Sequence, residues 1–467
     1  DSADLGFEAY RFETNLDAAL KLNNPSILTG ATEIAGSFIR LSEARLANQA
    51  MADADRWGAS LEIEKGYFSL LGEEDRQQQD HLFDLIDFLT THQTRQLLGD
   101  STALMGLRAE VSSLAWIAVL LGKEYDTDVS GSSTIRGDLF LESGLPAVGT
   151  AVDIQSADLA VQFLDYTSRG DGTKAFRVVE GGDDPDWQIG LALSDAEMTR
   201  RGEFSPFLQD VEMSLQAVVE DMDFQPGPRH YSLEYRILSG QVADMSSFNS
   251  LLPPDSPLRF TSGRAELAAD IVLHHDDADG WVRLSSTGLT VLADTQSVRG
   301  DLNAEMRLAG GTPPARMFDI SGSVIDLSHM RVEGESGQFD QEGWSARLLL
   351  TRGETTLTEP PRISLEAQLY MSDSRPVVAM FQNQEGWRPD FLASLLTVEN
   401  IEGTAQLDMA NERAVIPHAY AISDNIEVGA KGYIAPESRR GMIYLRYKKA
   451  DALLKISDGE KNLDLLS

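Results

Sequence analysis

The stretch ISLEAQLYM, residues 363–371, decides the fold of this chain. Its apolar residues occupy every second position: Ile363, Leu365, Ala367, Leu369 and Met371. The polar positions and one tyrosine lie between them. A period of two residues places alternate side chains on opposite faces of a β-strand. The stretch therefore predicts a strand with one apolar face and one face in water.

The same alternation recurs along the chain. It is clear at 231–237, 302–308 and 405–409, and similar runs begin at Trp57, Val211 and Ala265. Clusters of Gly, Asp and Pro separate the runs, as at 181–186 and 309–314. Such clusters are turn chemistry, and strands joined without helices form hairpins or meanders. We therefore predict a mainly β fold, an elongated antiparallel sheet of quasi-repeated hairpins. Alternation alone leaves open a curled groove or stacked, sandwich-like sheets.

Helical patterns are few and lie in the first quarter of the chain. Residues 80–99 place Leu82, Leu85, Ile86 and Leu89 on one helical face. Residues 102–121 are typical of a second, more buried helix. A small α-helical insertion near residues 80–121 is predicted, and a short helical piece at 246–252.

Composition shifts and repeats predict four regions. They are an N-terminal β region with the two-helix insertion (1–125), a β-sheet region (126–230), a repetitive, groove-like β-sheet region (231–435), and a basic C-terminal strand and tail (436–467). Four strand openings share a Trp after an acidic or glycine turn: 55–64, 185–194, 279–288 and 342–351. Repeats of this kind build elongated proteins by adding similar units.

The charge balance excludes one class of partner. The 467 residues contain 39 Lys and Arg against 74 Asp and Glu, a formal net charge of −35. Nucleic-acid binding is driven by basic contacts to phosphate, so no nucleic-acid partner is expected. The chain has no cysteine, which removes disulfides and thiolate sites. Its longest apolar run, 114–122, is less than half of the roughly 20 residues that span a bilayer.

No catalytic motif is present. The nucleophile elbow, the phosphate-binding loop, the dinucleotide fingerprint and the zinc-protease helix are all missing from the sequence. Residues 275–286 match a calcium loop only in part, since His275 and Ser286 replace its end ligands. A pair of catalytic carboxylates cannot be singled out among 74 acidic residues. We therefore predict no enzyme activity, no cofactor and no metal site.

Two short Arg-Gly-Asp triplets, 136–138 and 299–301, run directly into alternating strand. An adhesion motif of this type needs an exposed loop tip, so both triplets indicate strand structure instead. Residues 437–449, ESRRGMIYLRYKK, form a basic strand on an acidic chain. We predict a partner-docking role for its cations, while balancing of acidic neighbours remains the alternative. The docking residues are Arg439, Arg440, Arg446, Lys448 and Lys449.

Residues of about 231–435 resemble the AsmA-like and TamB-like proteins of Gram-negative envelopes. The resemblance rests on the strands GRAELAADIVL (263–273), RGDLNAEMRLAG (299–310) and EGTAQLDM (402–409), on the Trp-led strands and on residues 373–403. It covers about half of the chain and rests on the shared pattern of these strands. The helical stretch 80–121 departs from that family.

The resemblance implies a periplasmic protein anchored to the inner membrane. The anchor would lie in an N-terminal segment that precedes Asp1. Its body would be β-strands curled into an apolar groove that binds or conveys phospholipid or other acyl chains between the envelope membranes, or assists envelope assembly. Envelope protein partners are also implied. The groove would be lined by the inward apolar residues of the best strands: Leu267, Ala269, Ile271, Leu273, Leu302, Ala304, Met306, Leu308, Leu365, Ala367, Leu369 and Met371.

Two further readings stay open from the residues alone. A structural or scaffolding protein of the envelope or cell surface would have a closed core and a partner surface. An enzyme, such as a carbohydrate-active one, would have a polar cleft with converging carboxylates.

Overall fold

The structure is a computed structural model of the chain. It describes residues 2–7, 10–23, 32–48, 56–69, 102–115, 127–142, 145–163, 166–182, 184–200, 205–220, 231–251, 258–274, 277–293, 296–312, 315–333, 341–356, 362–374, 398–410, 413–424, 426–435, 438–448, 450–457 and 460–466. The chain divides into two compact units, Asp1–Glu234 (unit 1) and Tyr235–Ser467 (unit 2).

Unit 1 is built of β-strands. They are β1 (Ser2–Phe7), β2 (Tyr10–Ala19), β3 (Thr32–Glu33), β4 (Phe38–Asn48), β5 (Trp57–Ser69), β6 (Thr102–Val111), β7 (Thr127–Glu142), β8 (Leu145–Pro146), β9 (Ala151–Phe163), β10 (Tyr166–Val179), β11 (Asp186–Arg200) and β12 (Leu208–Val219). The boundary between the units falls within β13 (Tyr231–Val242).

Unit 2 continues with a short 3₁₀ helix and more strands. They are the 3₁₀ helix (Met245–Leu251), β14 (Leu258–His274), β15 (Ala278–Ala293), β16 (Gln296–Leu308), β17 (Gly310–Thr312), β18 (Met317–Asp319), β19 (Val324–Glu333), β20 (Gln341–Thr356), β21 (Arg362–Asp373), β22 (Glu399–Ala410), β23 (Arg413–Ser423), β24 (Ile426–Ala435), β25 (Ser438–Tyr447), β26 (Ala450–Ser457) and β27 (Glu460–Leu466).

Strands that follow one another in the chain pair with one another, and they are antiparallel. In unit 1 the long strands pair in the order β4–β5–β6–β7–β9–β10–β11–β12. In unit 2 the order is β14–β15–β16–β19–β20 and then onward to β27. Among the described residues, β1 pairs with β2 alone and β27 with β26 alone. The predicted mainly β, antiparallel sheet of sequential hairpins is confirmed, and the sheet is not closed.

The predicted helix at 102–121 is wrong over the part of it that forms β6. Thr102–Val111 is a strand whose alternate residues Ala103, Ala109 and Val111 are buried. Its other face carries Leu104, half-buried, beside Gly106. Leu104 and Gly106 interrupt the polar side of the alternation, and a short apolar run of this type is easily mistaken for a buried helix. The predicted helix at 80–99 lies outside the described residues.

A line of β-bulges crosses each unit. In unit 1 the register shifts at Gly170/Gly172 between β10 and β9, and at Leu193/Ala196 between β11 and β12. In unit 2 it shifts at Ser286/Leu289 and again at Leu327/Met330. Because neighbouring strands shift at neighbouring positions, the bulges are aligned across the sheet. A bulge bends its strand and increases the twist, so an aligned row bends the sheet along one line.

Left-handed residues mark these bulges. Asp158, Asp195, His329 and Gly288 have φ values of 52°, 50°, 51° and 69°. Asp, His and Gly tolerate this conformation better than other residues do. The sequence at the bulges therefore supports the bend locally.

Many of the fully buried side chains lie beside the bulge line. In unit 1 Leu159 and Ala196 are 0% exposed. In unit 2 Val298, Met330 and Trp344 form a buried cluster against which Leu327, Ala346 and Met371 pack. Each unit therefore has buried side chains beside its bulges, and we call this part of the unit its closed end.

Candidate functional site

The apolar face of unit 2 is continuous from strand to strand. Directly opposed residues share a face of the sheet, and one row of such partners runs through Leu267, Leu284, Ala304, Ile325, Leu348, Leu369, Gly403, Ala421, Val428, Leu445 and Ala452. We call the face that carries this row the unit-2 apolar face.

All twelve predicted groove residues lie on the unit-2 apolar face. On β14, Leu267 and Ala269 oppose Leu284 and Val282 of β15. On β16, Met306 also opposes Val282. The remaining members occupy the same face through the register of β14, β16 and β21: Ile271, Leu273, Leu302, Ala304, Leu308, Leu365, Ala367, Leu369 and Met371.

Exposure varies along this face. Met306 is 50% exposed and Ile325 is 42% exposed, whereas Trp344 and Met330 at the closed end are 7% and 3% exposed. Leu267, Leu284 and most of the row are half-buried. The unit-2 apolar face therefore has a closed end beside the bulges and an open end with large apolar groups in contact with water.

Unit 1 carries a comparable face. One row of opposed residues runs through Leu61, Ala109, Ile135, Ile154, Lys174, Leu191 and Leu215. The next row runs through Ile63, Leu107, Gly137, Val152, Phe176, Ile189 and Ala217. We call this the unit-1 apolar face, and Ile189, 47% exposed, marks its open part.

The unit-1 apolar face also carries polar groups. The hydroxyls of Ser133 and Ser156, both buried, hydrogen-bond each other at 2.5 Å. Lys174 has no hydrogen-bond or ion-pair partner among the described residues. Burial lowers the pKa of its amine below the ordinary value. Lys174 is therefore a cation held in an apolar environment.

The opposite face of unit 2 is polar and carries ion pairs between neighbouring strands. Arg283 of β15 lies 2.7 Å from Glu305 of β16, the nearest oxygen being Oε2. Arg236 and Asp270 are 3.2 Å apart. Exposed pairs of this kind contribute about 0–1 kcal/mol each. They make this face soluble without providing a reactive cluster.

The structure describes the surroundings of only some of the predicted docking residues. Arg446 contacts Asp451 at 3.1 Å and Glu427 at 3.3 Å, and the hydrogen bond with Asp451 raises the pKa of its guanidinium. Lys448 lies over the ring of Tyr447 at 5.2 Å. Arg439 pairs with Ile434 in the register of β25 and β24. Lys449 lies outside the described residues.

Arg440 belongs to a different group of cations that sequence reasoning missed. With Lys431 and Lys455 it lines a shallow cavity of about 460 Å³ on the polar face of β23–β26. Lys431 and Lys455 both neighbour Met442, and Arg440 neighbours Tyr433. The three cations come from three strands, so only the register brings them together.

The two Arg-Gly-Asp triplets lie within strands, 136–138 in β7 and 299–301 in β16. A third triplet, Arg169, Gly170 and Asp171, was missed in the sequence and lies in β10. In the second triplet Asp301 accepts a hydrogen bond from the Gly288 amide at 3.0 Å and contacts His329 at 3.0 Å. Gly288 and His329 are both left-handed bulge residues. Asp301 of this triplet therefore stabilises two neighbouring bulges.

The aspartate of the third triplet also contacts a bulge residue. Asp171 lies 3.5 Å from the amide of Asp158, again a left-handed bulge residue. An added Cβ at Gly170 would meet the Cα of Ala196 at 2.8 Å. The repeated Arg-Gly-Asp sequence before an alternating strand could have indicated this contact with the bulges.

Within the described ranges, no group of three or more His, Asp or Glu side chains could hold a metal ion. No helix in the described part of the chain is long and apolar enough to span a membrane.

None of the known family models, curated proteins or solved structures compared with the chain matches it. The resemblance to AsmA-like and TamB-like proteins therefore stays a prediction.

Proposed function

We propose that this chain binds acyl chains, those of phospholipid foremost, on its apolar sheet faces, and that it holds or conveys them between envelope membranes or assists envelope assembly. The role is non-catalytic. A periplasmic location, with contact to the inner membrane, belongs to the proposal and comes from the resemblance alone.

The observation that carries the proposal is the open end of the unit-2 apolar face. Met306 and Ile325 are 50% and 42% exposed on a face whose described rows are mostly aliphatic. Exposed apolar surface that is continuous over several strands is normally functional. Acyl chains suit such a face because they need burial and no directional bonds.

The test is the lipid content of the purified chain. Protein prepared without detergent is extracted with organic solvent, and lipid per protein is measured by mass spectrometry against a β-sandwich control. We expect stoichiometric phospholipid. Lipid no higher than in the control contradicts the proposal.

A variant pair locates the site. Met306→Asp places a charge on the open apolar face and is expected to reduce retained lipid about tenfold or more, because a carboxylate is costly beside acyl chains. The control Asn303→Asp adds the same charge on the opposite face of the same strand, where Asn303 is exposed. It is expected to retain lipid normally. Ile325→Asp repeats the test if Met306→Asp does not fold.

A second candidate function is a structural or scaffolding role in the envelope. The observation that favours it is the cavity lined by Lys431, Arg440 and Lys455, which provides three cations on a chain of net charge −35. An acidic segment of a partner protein would fit this cavity by charge. A lipid-free chain that binds an acidic peptide, and loses that binding when the three cations are changed to Gln, would favour this role.

A further inference from the structure

The starting observation is one charged residue in an apolar row. Lys174 of β10 lies between Ile154 of β9 and Leu191 of β11 in the register of the sheet. Along its own strand, the neighbours on the same face are Gly172 and Phe176. Between the bulges of β5–β12, the other described positions of this face carry no charge.

Lys174 differs from the paired cations of unit 1 in its burial and in its lack of a partner among the described residues. Arg177, three residues away on the opposite face, is close to Asp153, its partner across the strands. Lys65 pairs with Asp138 at 3.0 Å. Lys174 has no carboxylate, hydroxyl or carbonyl partner in the described part of the chain, and its side chain is half-buried.

An unpaired cation on an apolar surface lowers stability, because desolvation of the charge is not compensated. A methionine at the same place would cover the neighbouring aliphatic groups without that cost. The position is therefore explained best by a ligand that supplies the missing negative charge.

The neighbourhood determines what that ligand would be. An added Cβ at Gly172 would meet the Cδ2 atoms of Leu159 and Leu193 at 2.7 and 3.2 Å. The buried residues of the closed end of unit 1 therefore lie next to Gly172, on one side of Lys174. On the other side, Phe176 and Ile189 continue the open part of the face. A cation at this boundary can contact an anionic group while an acyl chain covers the open part.

We propose that Lys174 binds the singly charged anionic headgroup of an acyl-chain lipid, whose chain lies on the unit-1 apolar face. The inference rests on the proposed function and deepens it, because it assigns a charge preference and a position to the lipid. A charge-assisted contact between the Lys174 amine and the headgroup oxygen replaces the water that each group loses.

The test compares two probes of equal chain length, oleate and oleyl alcohol. Each displaces a fluorescent acyl alcohol from the full-length chain, and the two probes differ only in charge and the carboxylate oxygen. We expect oleate to bind about tenfold or more tightly than the alcohol, which is the contribution of a charged hydrogen bond.

Three variants assign the preference to Lys174. Lys174→Met is expected to remove the preference for oleate and to change oleyl alcohol binding less than about twofold. Lys174→Arg keeps the charge and is expected to retain the preference. The control Lys65→Met removes an exposed, paired lysine of the same unit and is expected to change neither probe.

Stability gives an independent readout. Lys174→Met is expected to unfold at the same or a higher denaturant concentration, since it removes a desolvated charge. If this variant does not fold, Lys174→Gln serves in its place.

The outcomes separate the two proposals. Equal binding of both probes, unchanged by Lys174→Met, overturns the role of Lys174 and leaves acyl-chain binding intact. Failure of both probes to bind overturns acyl-chain binding and the role of Lys174 with it. A preference for oleate that survives in Lys174→Met places the anionic contact elsewhere and also overturns the inference.

Discussion

The two units share one plan and differ in the chemistry of one face. Both have aliphatic rows across antiparallel strands, an aligned row of bulges, and an Arg-Gly-Asp triplet whose aspartate reaches the bulge residues. The unit-1 apolar face carries Lys174 and the Ser133–Ser156 hydrogen bond. The described rows of the unit-2 apolar face from β14 to β24 carry no charge.

The comparison separates features that both units use to form the sheet from a feature that we assign to ligand binding. The bulges and aliphatic rows recur in both units, so they belong to the construction of the sheet. Lys174 has no charged counterpart in the described rows from β14 to β24, although on β25 Arg439 pairs with Ile434 of the same face. Burial of the Lys174 charge is a cost to stability. A feature that is costly and unshared is the better candidate for a binding role, and variants in matched positions of the two units can test this separation.

The largest expected effect is at the closed end of unit 2. Trp344 is 7% exposed, packs in the cluster with Val298 and Met330, and donates its indole N–H to the carbonyl of Asp373 at 2.8 Å. Trp344→Ala is expected to lower the free energy of unfolding by about 3–5 kcal/mol, because it leaves a cavity and removes the indole hydrogen bond. Urea denaturation followed by circular dichroism measures the loss.

The open end of the same face provides the control. Met306→Ala is expected to cost no more than about 1 kcal/mol, since half of the side chain is already in water. Equal losses for Trp344→Ala and Met306→Ala would contradict the division into a closed and an open end.

Medium effects are expected at the triplet glycines. An added Cβ at Gly300 would meet the Cα of Met330 at 2.8 Å and the carbonyl of Ser328 at 2.9 Å. At Gly170 it would meet the Cα of Ala196 and the carbonyl of Ser194 at the same two distances. Because these are backbone atoms, Gly300→Ala and Gly170→Ala should each cost about 1–3 kcal/mol.

Gly190→Ala is the matched control, because the nearest atom to its added Cβ is 3.8 Å away. Its free energy of unfolding should stay within about 0.5 kcal/mol of the parent chain. A large loss in one triplet and none in the other would show that the two bulge lines are not equivalent.

The smallest effect concerns pH. The Gly288 amide and then the His329 ring lower the pKa of the Asp301 carboxyl. A carboxyl with a lower pKa in the folded state contributes stability above its unfolded pKa, about 3.9, and loses it as the pH falls through the folded pKa. The side chain is 34% exposed, so screening keeps the contribution below about 1 kcal/mol.

Asp301→Asn is therefore expected to flatten the fall in unfolding free energy below pH about 4. Asp171→Asn, whose contact to the bulge amide is longer at 3.5 Å, should change stability less. Unfolding curves at pH 7 and pH 3 measure both variants. If the unfolding free energy of Asp301→Asn falls between pH 7 and pH 3 as much as that of the parent chain, the stabilising role of this carboxylate at the bulges is contradicted.

Much of the fold was predictable from alternation. The runs at 231–237, 302–308, 363–371 and 405–409 are all strands in the structure, because a half-buried strand shows its period directly. The helix predicted at 102–121 was wrong over 102–111, where Leu104 and Gly106 interrupt the polar side of the alternation in β6. Periodicity cannot separate a strand of that kind from a buried helix.

The candidate site was predictable only in part. The shared face of the twelve groove residues follows from alternation, but their exposure does not, since exposure depends on where the bulges bend the sheet. Lys174 and the group formed by Lys431, Arg440 and Lys455 depend on register between strands. Register is a long-range property that single runs of sequence do not contain.

The measurement that tests the central claim most directly is photo-crosslinking with an acyl chain that carries a diazirine. The chain is loaded with this probe and irradiated, and the labelled peptides are sequenced by mass spectrometry. We predict labels on the open apolar faces, at residues such as Met306, Ile325 and Ile189, and little label on Glu305 or Arg307 of the opposite face. Labelling confined to the polar face, or absent above a β-sandwich control, would contradict the account.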